Sequence, residues 1–200
     1  MKSTNLKNLI WLLWVGVTPA FAQKTEATFD IFFKGSKIGV LKAFEEKQGA
    51  QLIKDIKTQS DTKVLAFSVH VESEIYAVHE NGKLVKGTAY RHANRGSEDV
   101  HAHTEKTATG QYQRERNGKK TVIGEAISMC VADLYFREPK GLKRVYSNMH
   151  AEFVELKPLG GGKYQLTTPD KKSSYFTYQN GKLMMMEVDT PVGKATTKRA

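Results

Sequence analysis

Cysteine is almost missing from this chain: Cys130 is the only one among 200 residues. No intramolecular disulfide can form, so a disulfide-stapled scaffold is excluded. The 5 prolines and 16 glycines fall short of collagen-like or low-complexity composition, and 40% apolar with 26% charged residues fits one globular domain. Tryptophan occurs only at Trp11 and Trp14, so the rest of the chain must build its aromatic core from Phe and Tyr. Acidic residues are also in deficit, 21 Asp+Glu against 31 Lys+Arg, which gives a formal charge of +10. Long apolar runs are lacking too. The one at the start, Leu9 to Val17, is shorter than the ~20 residues that a membrane-spanning helix needs.

That stretch reads instead as a secretory signal peptide. Lys2 and Lys7 precede the apolar run, Thr18-Pro19 breaks it, and Ala20-Phe21-Ala22 offers the small-x-small pattern of a cleavage site. Residues 1–22 are therefore expected to be removed after Ala22, leaving 23–200 as a single domain, periplasmic or secreted, with no transmembrane segment. The site lacks the cysteine of a lipoprotein anchor. Loss of Lys2 and Lys7 leaves the product basic, which permits anionic partners such as acidic glycans or phospholipid headgroups. Nucleic acid is not expected at that address, and the basic residues form no single block. Cys130, between Met129 and Val131-Ala132, reads as a buried, inert thiol.

Strand signals fill the rest of the chain. Phe29–Phe33, Ile38–Phe44, Gln51–Thr58 and a long run from Val64 to Val78 are followed, after residue 150, by Ala151–Leu156, Tyr164–Thr168, Ser174–Tyr178, Leu183–Val188 and a weak strand at Lys194–Thr197. Asn81-Gly82, Asn117-Gly118 and Asn180-Gly181 sit between extended segments, and Asn-Gly tolerates the positive φ that a type I′ hairpin demands at both central positions. Arg95-Gly96 and Thr109-Gly110 are weaker turn signals. Ser128 to Phe136, ahead of Glu138-Pro139, reads as one short helix packed on the sheet. The expectation is an all-β, mainly antiparallel meander with one short helix and no internal repeat.

Three stretches carry a resemblance: Asp133–Gly141, Gly160-Gly161-Gly162-Lys163-Tyr164 and Tyr178-Gln179-Asn180-Gly181-Lys182-Leu183. Through them the chain resembles a family of secreted bacterial β-rich proteins classed as a domain of unknown function, which is itself distantly similar to curved half-barrel envelope proteins. The resemblance implies a curved, partly open sheet or half-barrel, and it transfers no catalytic residue.

Hairpin arithmetic then assigns faces. A two-residue turn at Asn81-Gly82 pairs residues whose numbers sum to 163, and opposed residues share a face. Leu65, Phe67, Val69, Val71, Ile75 and Ala77 would form an apolar row opposite Lys86, Thr88, Tyr90 and His92, with Glu72 meeting Arg91 on the other side. Phe67, Val71 and Ile75 are thus the expected walls of a trough, and Tyr90 and His92 its polar handles. A turn at Arg95-Gly96 pairs residues summing to 191, which sets His92 against Asp99, Tyr90 against His101 and Thr88 against His103. Imidazole and carboxylate together suit zinc or a similar metal, so His92, Asp99, His101 and His103 are the candidate ligands. Continuing through Thr109-Gly110 would add Glu105, Tyr112, Arg114 and Arg116 to that face, and the arginines disfavour a cation. In Met184-Met185-Met186, simple alternation would point Met184 and Met186 to one face and Met185 with Leu183 to the other, for core packing or the lining of an apolar groove.

No G-x-S-x-G elbow, H-E-x-x-H helix, phosphate loop or dinucleotide fingerprint is present, so neither an enzyme nor a cofactor is expected. The leading expectation is a non-enzymatic envelope protein that holds an apolar or amphipathic ligand, such as a lipid, in a curved β-sheet trough. The alternatives are a structural or protein-interaction module that pairs a sheet edge with an envelope partner, and a metal-binding protein using the His/Asp cluster.

Overall fold

The computed structural model describes residues 23–64, 67–95, 98–190 and 193–200, without the side chains of Val64 and Phe67. The expected signal peptide, the Gly96 turn position and Leu65 of the apolar row lie outside the described residues. Fourteen strands run in chain order: β1 (Lys24–Phe33), β2 (Ser36–Gln48), β3 (Gln51–Val64), β4 (Phe67–Glu80), β5 (Lys83–Ala93), β6 (Val100–Lys106), β7 (Tyr112–Arg116), β8 (Lys119–Ile123), β9 (Arg144–Ser147), β10 (Glu152–Gly160), β11 (Lys163–Thr167), β12 (Ser173–Gln179), β13 (Lys182–Thr190) and β14 (Gly193–Arg199). All belong to one antiparallel sheet in the order β8-β7-β6-β5-β4-β3-β2-β1-β14-β13-β12-β11-β10-β9. No helix among the described residues is long and apolar enough to cross a membrane.

The turns follow from local chemistry. Asn81 and Gly82, Asn117 and Gly118, and Asn180 and Gly181 all take positive φ, between 49° and 81°, as type I′ hairpins require. Lys34-Gly35 does the same between β1 and β2. The apolar run from Val64 to Val78 is not one strand, because Val64 pairs with Phe67 and the chain reverses between them. β9 carries no alternation that the sequence reading caught; its Val145, Tyr146 and Ser147 are all buried.

Among the described residues the two meanders pair strand to strand only at β1 and β14, Ile31 opposite Thr197. Between β8 and β9 the chain crosses the inner face of the sheet. The expected helix from Ser128 is here a single 3-10 turn, Val131–Tyr135, capped by Cys130 rather than Ser128. Asp133 explains the difference: its Oδ2 accepts the Cys130 N–H at 2.7 Å, which tightens the segment into one turn. Ile127, Met129, Cys130, Ala132, Leu134 and Tyr135 of this crossover pack with Phe29, Leu41, Ile56, Ile75 and Leu84 of the sheet in one core. Full burial of a side chain such as Phe29 or Leu134 stabilises by about 1.5–3 kcal/mol. The Tyr178 hydroxyl donates to the Leu134 carbonyl at 2.7 Å and Tyr164 donates to Glu138 at 2.9 Å, tying the crossover to β12 and β11.

The sheet curls until its far ends meet without pairing. Thr104 of β6 and Tyr146 of β9 share a hydroxyl hydrogen bond of 2.7 Å. Arg116 of β7 donates to the Met149 carbonyl at 3.0 Å, and Arg114 donates to the Ala151 carbonyl. The open half-barrel is thus bridged by side chains, two of them reaching backbone, and β8 keeps a free edge bearing Lys119 and Lys120, which discourage pairing with another strand.

Candidate functional site

One extra residue in β5 decides which side chains meet. Near the turn, His79 faces Leu84 and Glu80 faces Lys83, the expected sum. Val85 is then a bulge, and from Val78 opposite Lys86 onward every pair sums to one more. Ile75 consequently faces Ala89, Glu74 faces Tyr90 and Glu72 faces His92. The expected apolar trough with Tyr90 and His92 as handles is therefore corrected: Ile75 lies on the core face and Tyr90 and His92 on the outer one. Val71 keeps the core-face parity at the strand's half-buried outer reach, and the side chain of Phe67 is outside the described set. Arg91 faces Ser73, not Glu72. The interior itself is packed by the crossover segment.

The β5–β6 register is the expected one, with Tyr90 opposite His101 and Thr88 opposite His103. His92 Nδ1 bonds Asp99 at 2.9 Å, and that bond holds the Asp99 carboxyl below its ordinary range. The four proposed ligands share the outer face, yet they do not converge: His101 packs on the Tyr90 ring at 5.2 Å and His103 turns to Glu105 at 3.3 Å. The next register differs from expectation, because His103 faces Glu115 and Thr104 faces Arg114. Tyr112, Arg114 and Arg116 therefore belong to the core face, where their polar ends find backbone carbonyls. Met184 is likewise a bulge, so Leu183 and Met186 are the buried pair and not Met184 with Met186.

On the outer face two open grooves of about 520 and 530 Å³ flank Tyr90. The first is lined by Val40, Lys42, Lys57, Glu72, Glu74 and Tyr90. The Tyr90 hydroxyl donates to Glu72 at 3.1 Å, and partial desolvation together with that bond raises the phenol above its ordinary value. Lys42 and Lys57 are direct cross-strand neighbours. Lys57 is neutralised by Asp55 at 3.0 Å and Glu74 at 3.4 Å, whereas Lys42 makes no ion pair among the described residues. One cation thus stands uncompensated at one rim of a groove that the Tyr90 ring lines three strands away.

A second polar group lies inside the core. Lys54, 2% exposed, places its ammonium 3.0 Å from Asp133 Oδ1 and 3.1 Å from Glu45. His79 Nε2 is 3.2 Å from Asp133 Oδ2. Burial alone would raise the Asp133 carboxyl, but His79 and Lys54 outweigh it and hold the group well below the usual carboxylate range. The Cys130 thiol is pushed far up, first by complete burial and then by the Asp133 carboxylate. A cysteine, a histidine and an aspartate meet here with donor atoms within 4.8 Å of one another. A fully buried thiol beside an anion is nevertheless not poised as a nucleophile, which needs thiolate character and access. Sequence reasoning missed this group because its members come from β2, β3, β4 and the crossover. The one available signal was the set of polar residues at inward strand positions.

The family described as Domain of unknown function (DUF6134) matches residues 29–200, nearly all of the β domain. No curated protein and no solved structure matches the chain.

Proposed function

The chain belongs to the DUF6134 family, and from the geometry of its outer face we propose that it is an exported, non-enzymatic binding protein for an amphipathic anion, seated at Tyr90. The observation that carries this reading is the unpaired Lys42 at the rim of a groove whose wall is the Tyr90 ring. An apolar or aromatic body would lie along Tyr90 and Val40 while an anionic head met Lys42. The packed interior supports an outer seat over an inner one, since an interior ligand would have to displace the crossover that Asp133, Tyr164 and Tyr178 hold. The N-terminal sequence supports export, and the basic surface favours an anion.

Titration with 1-anilinonaphthalene-8-sulfonate, an aromatic anion, tests the proposal by fluorescence. Saturable one-to-one binding is expected, weakened by about tenfold or more in Tyr90→Ala and in Lys42→Ala. Binding by both variants as tight as by the native chain, or no saturable binding by the native chain, would overturn it.

A further inference from the structure

We propose that His79, Cys130 and Asp133 form a binding site for a borderline-soft divalent metal ion, with zinc the best chemical fit. The site is distinct from the outer-face histidines and does not depend on the anion-binding reading. Three observations carry it.

The first is the donor set. An imidazole nitrogen, a cysteine sulfur and a carboxylate oxygen lie within 4.8 Å of one another, all in buried residues. Three mixed N, S and O ligands with one position left over are an arrangement that tetrahedral zinc accepts. The sulfur selects against magnesium and calcium, which take oxygen ligands.

The second is His79 itself. It is 4% exposed, and among the described residues neither ring nitrogen makes a hydrogen bond: Nδ1 has no partner, and Nε2 approaches Asp133 Oδ2 at 3.2 Å without hydrogen-bond geometry. An imidazole buried this way loses its hydration and gains only the attraction of Asp133, unless a ligand supplies the missing bond.

The third is charge. Glu45 and Asp133 face the buried ammonium of Lys54, and the exposed Arg137 guanidinium reaches Asp133 Oδ1 only at 3.9 Å. A divalent ion with Asp133 and a Cys130 thiolate makes a neutral set, while Lys54 and Glu45 neutralise each other alongside. Lys54 engages Asp133 Oδ1, and the other oxygen, Oδ2, is the one turned toward His79. On loading, the Cys130 S–H proton leaves for solvent and the sulfur lone pair forms the bond to the metal, with no change of oxidation state. Because all three ligands are buried, the ion would enter as the chain folds.

The experiment is refolding of the chain with one equivalent of Co²⁺ as a spectroscopic stand-in for Zn²⁺, beside Cys130→Ser, His79→Gln and the triple variant His92→Ala/His101→Ala/His103→Ala. The native chain and the triple variant should both show a thiolate-to-cobalt charge-transfer band with tetrahedral d–d bands. Cys130→Ser should lose the charge-transfer band, and His79→Gln should bind about tenfold or more weakly. Absence of the band in the native chain overturns the proposal without recourse to any variant. A band or an affinity unaffected by Cys130→Ser overturns it as well, and loss of binding in the triple variant would move the ion to the outer face.

Discussion

Removing the Lys54 ammonium isolates what the buried ion pairs contribute. Lys54→Met keeps the stem that fills the core but leaves Asp133, whose side chain is only 3% exposed, without its closest cation. Glu45, at 24%, regains water and adds little to the cost. Breaking a buried pair from one side costs about 3–5 kcal/mol, because the remaining charge, here left with His79 at 3.2 Å and the exposed Arg137 at 3.9 Å, stays in a low-dielectric interior. For a domain of this size that is a fall in Tm of about 6–20 °C. Urea unfolding in the presence of a chelator measures it without any metal contribution. Asp133→Asn added to Lys54→Met removes the stranded charge while keeping an oxygen for the Cys130 N–H, so at least half of the loss should return. A loss below about 1 kcal/mol for Lys54→Met, or a double variant no better than the single one, would refute the reasoning.

Two turn glycines share a φ of +76°, but a Cβ at Gly162 would sit 2.5 Å from the Tyr178 carbonyl oxygen and one at Gly181 would meet nothing within 4 Å. Gly162→Ala should therefore be the less stable by about 1–3 kcal/mol in thermal unfolding, and equal losses would refute the steric argument. Arg116→Met removes the bond to the Met149 carbonyl, and amide exchange across residues 148–151 should accelerate selectively as the seam between sheet ends loosens. The Asp170 carboxyl is held at about 2 by Lys172 and by the Thr168 hydroxyl, below the ~3.9 of an unfolded aspartate. Its lowered value contributes stability that is present above about pH 4 and is lost as pH falls toward 2. Lys172→Ala should bring its titration, followed by NMR, back up toward the unfolded value.

The sequence by itself determined the class of this protein and most of its punctuation. Asn-Gly pairs adopt positive φ for reasons internal to two residues, so the hairpins at Asn81, Asn117 and Asn180 were legible without any tertiary contact. Alternation gave the strands of both meanders, and the β5–β6 register put His92 against Asp99. What only the tertiary structure decided begins with the bulges. Val85 and Met184 each add one residue to their strand, and each reverses the faces of everything beyond. That reversal took Tyr90 and His92 off the core face, and it could not be read locally because a strand's period of two carries no mark of where it slips. The pairing of β1 with β14 and the Arg114 and Arg116 bridges likewise join residues far apart in sequence. The Lys54, His79, Cys130 and Asp133 group is the extreme case: each residue is locally unremarkable, and only the crossover laid against β3 and β4 gives them a common, buried environment in which their charges must answer one another.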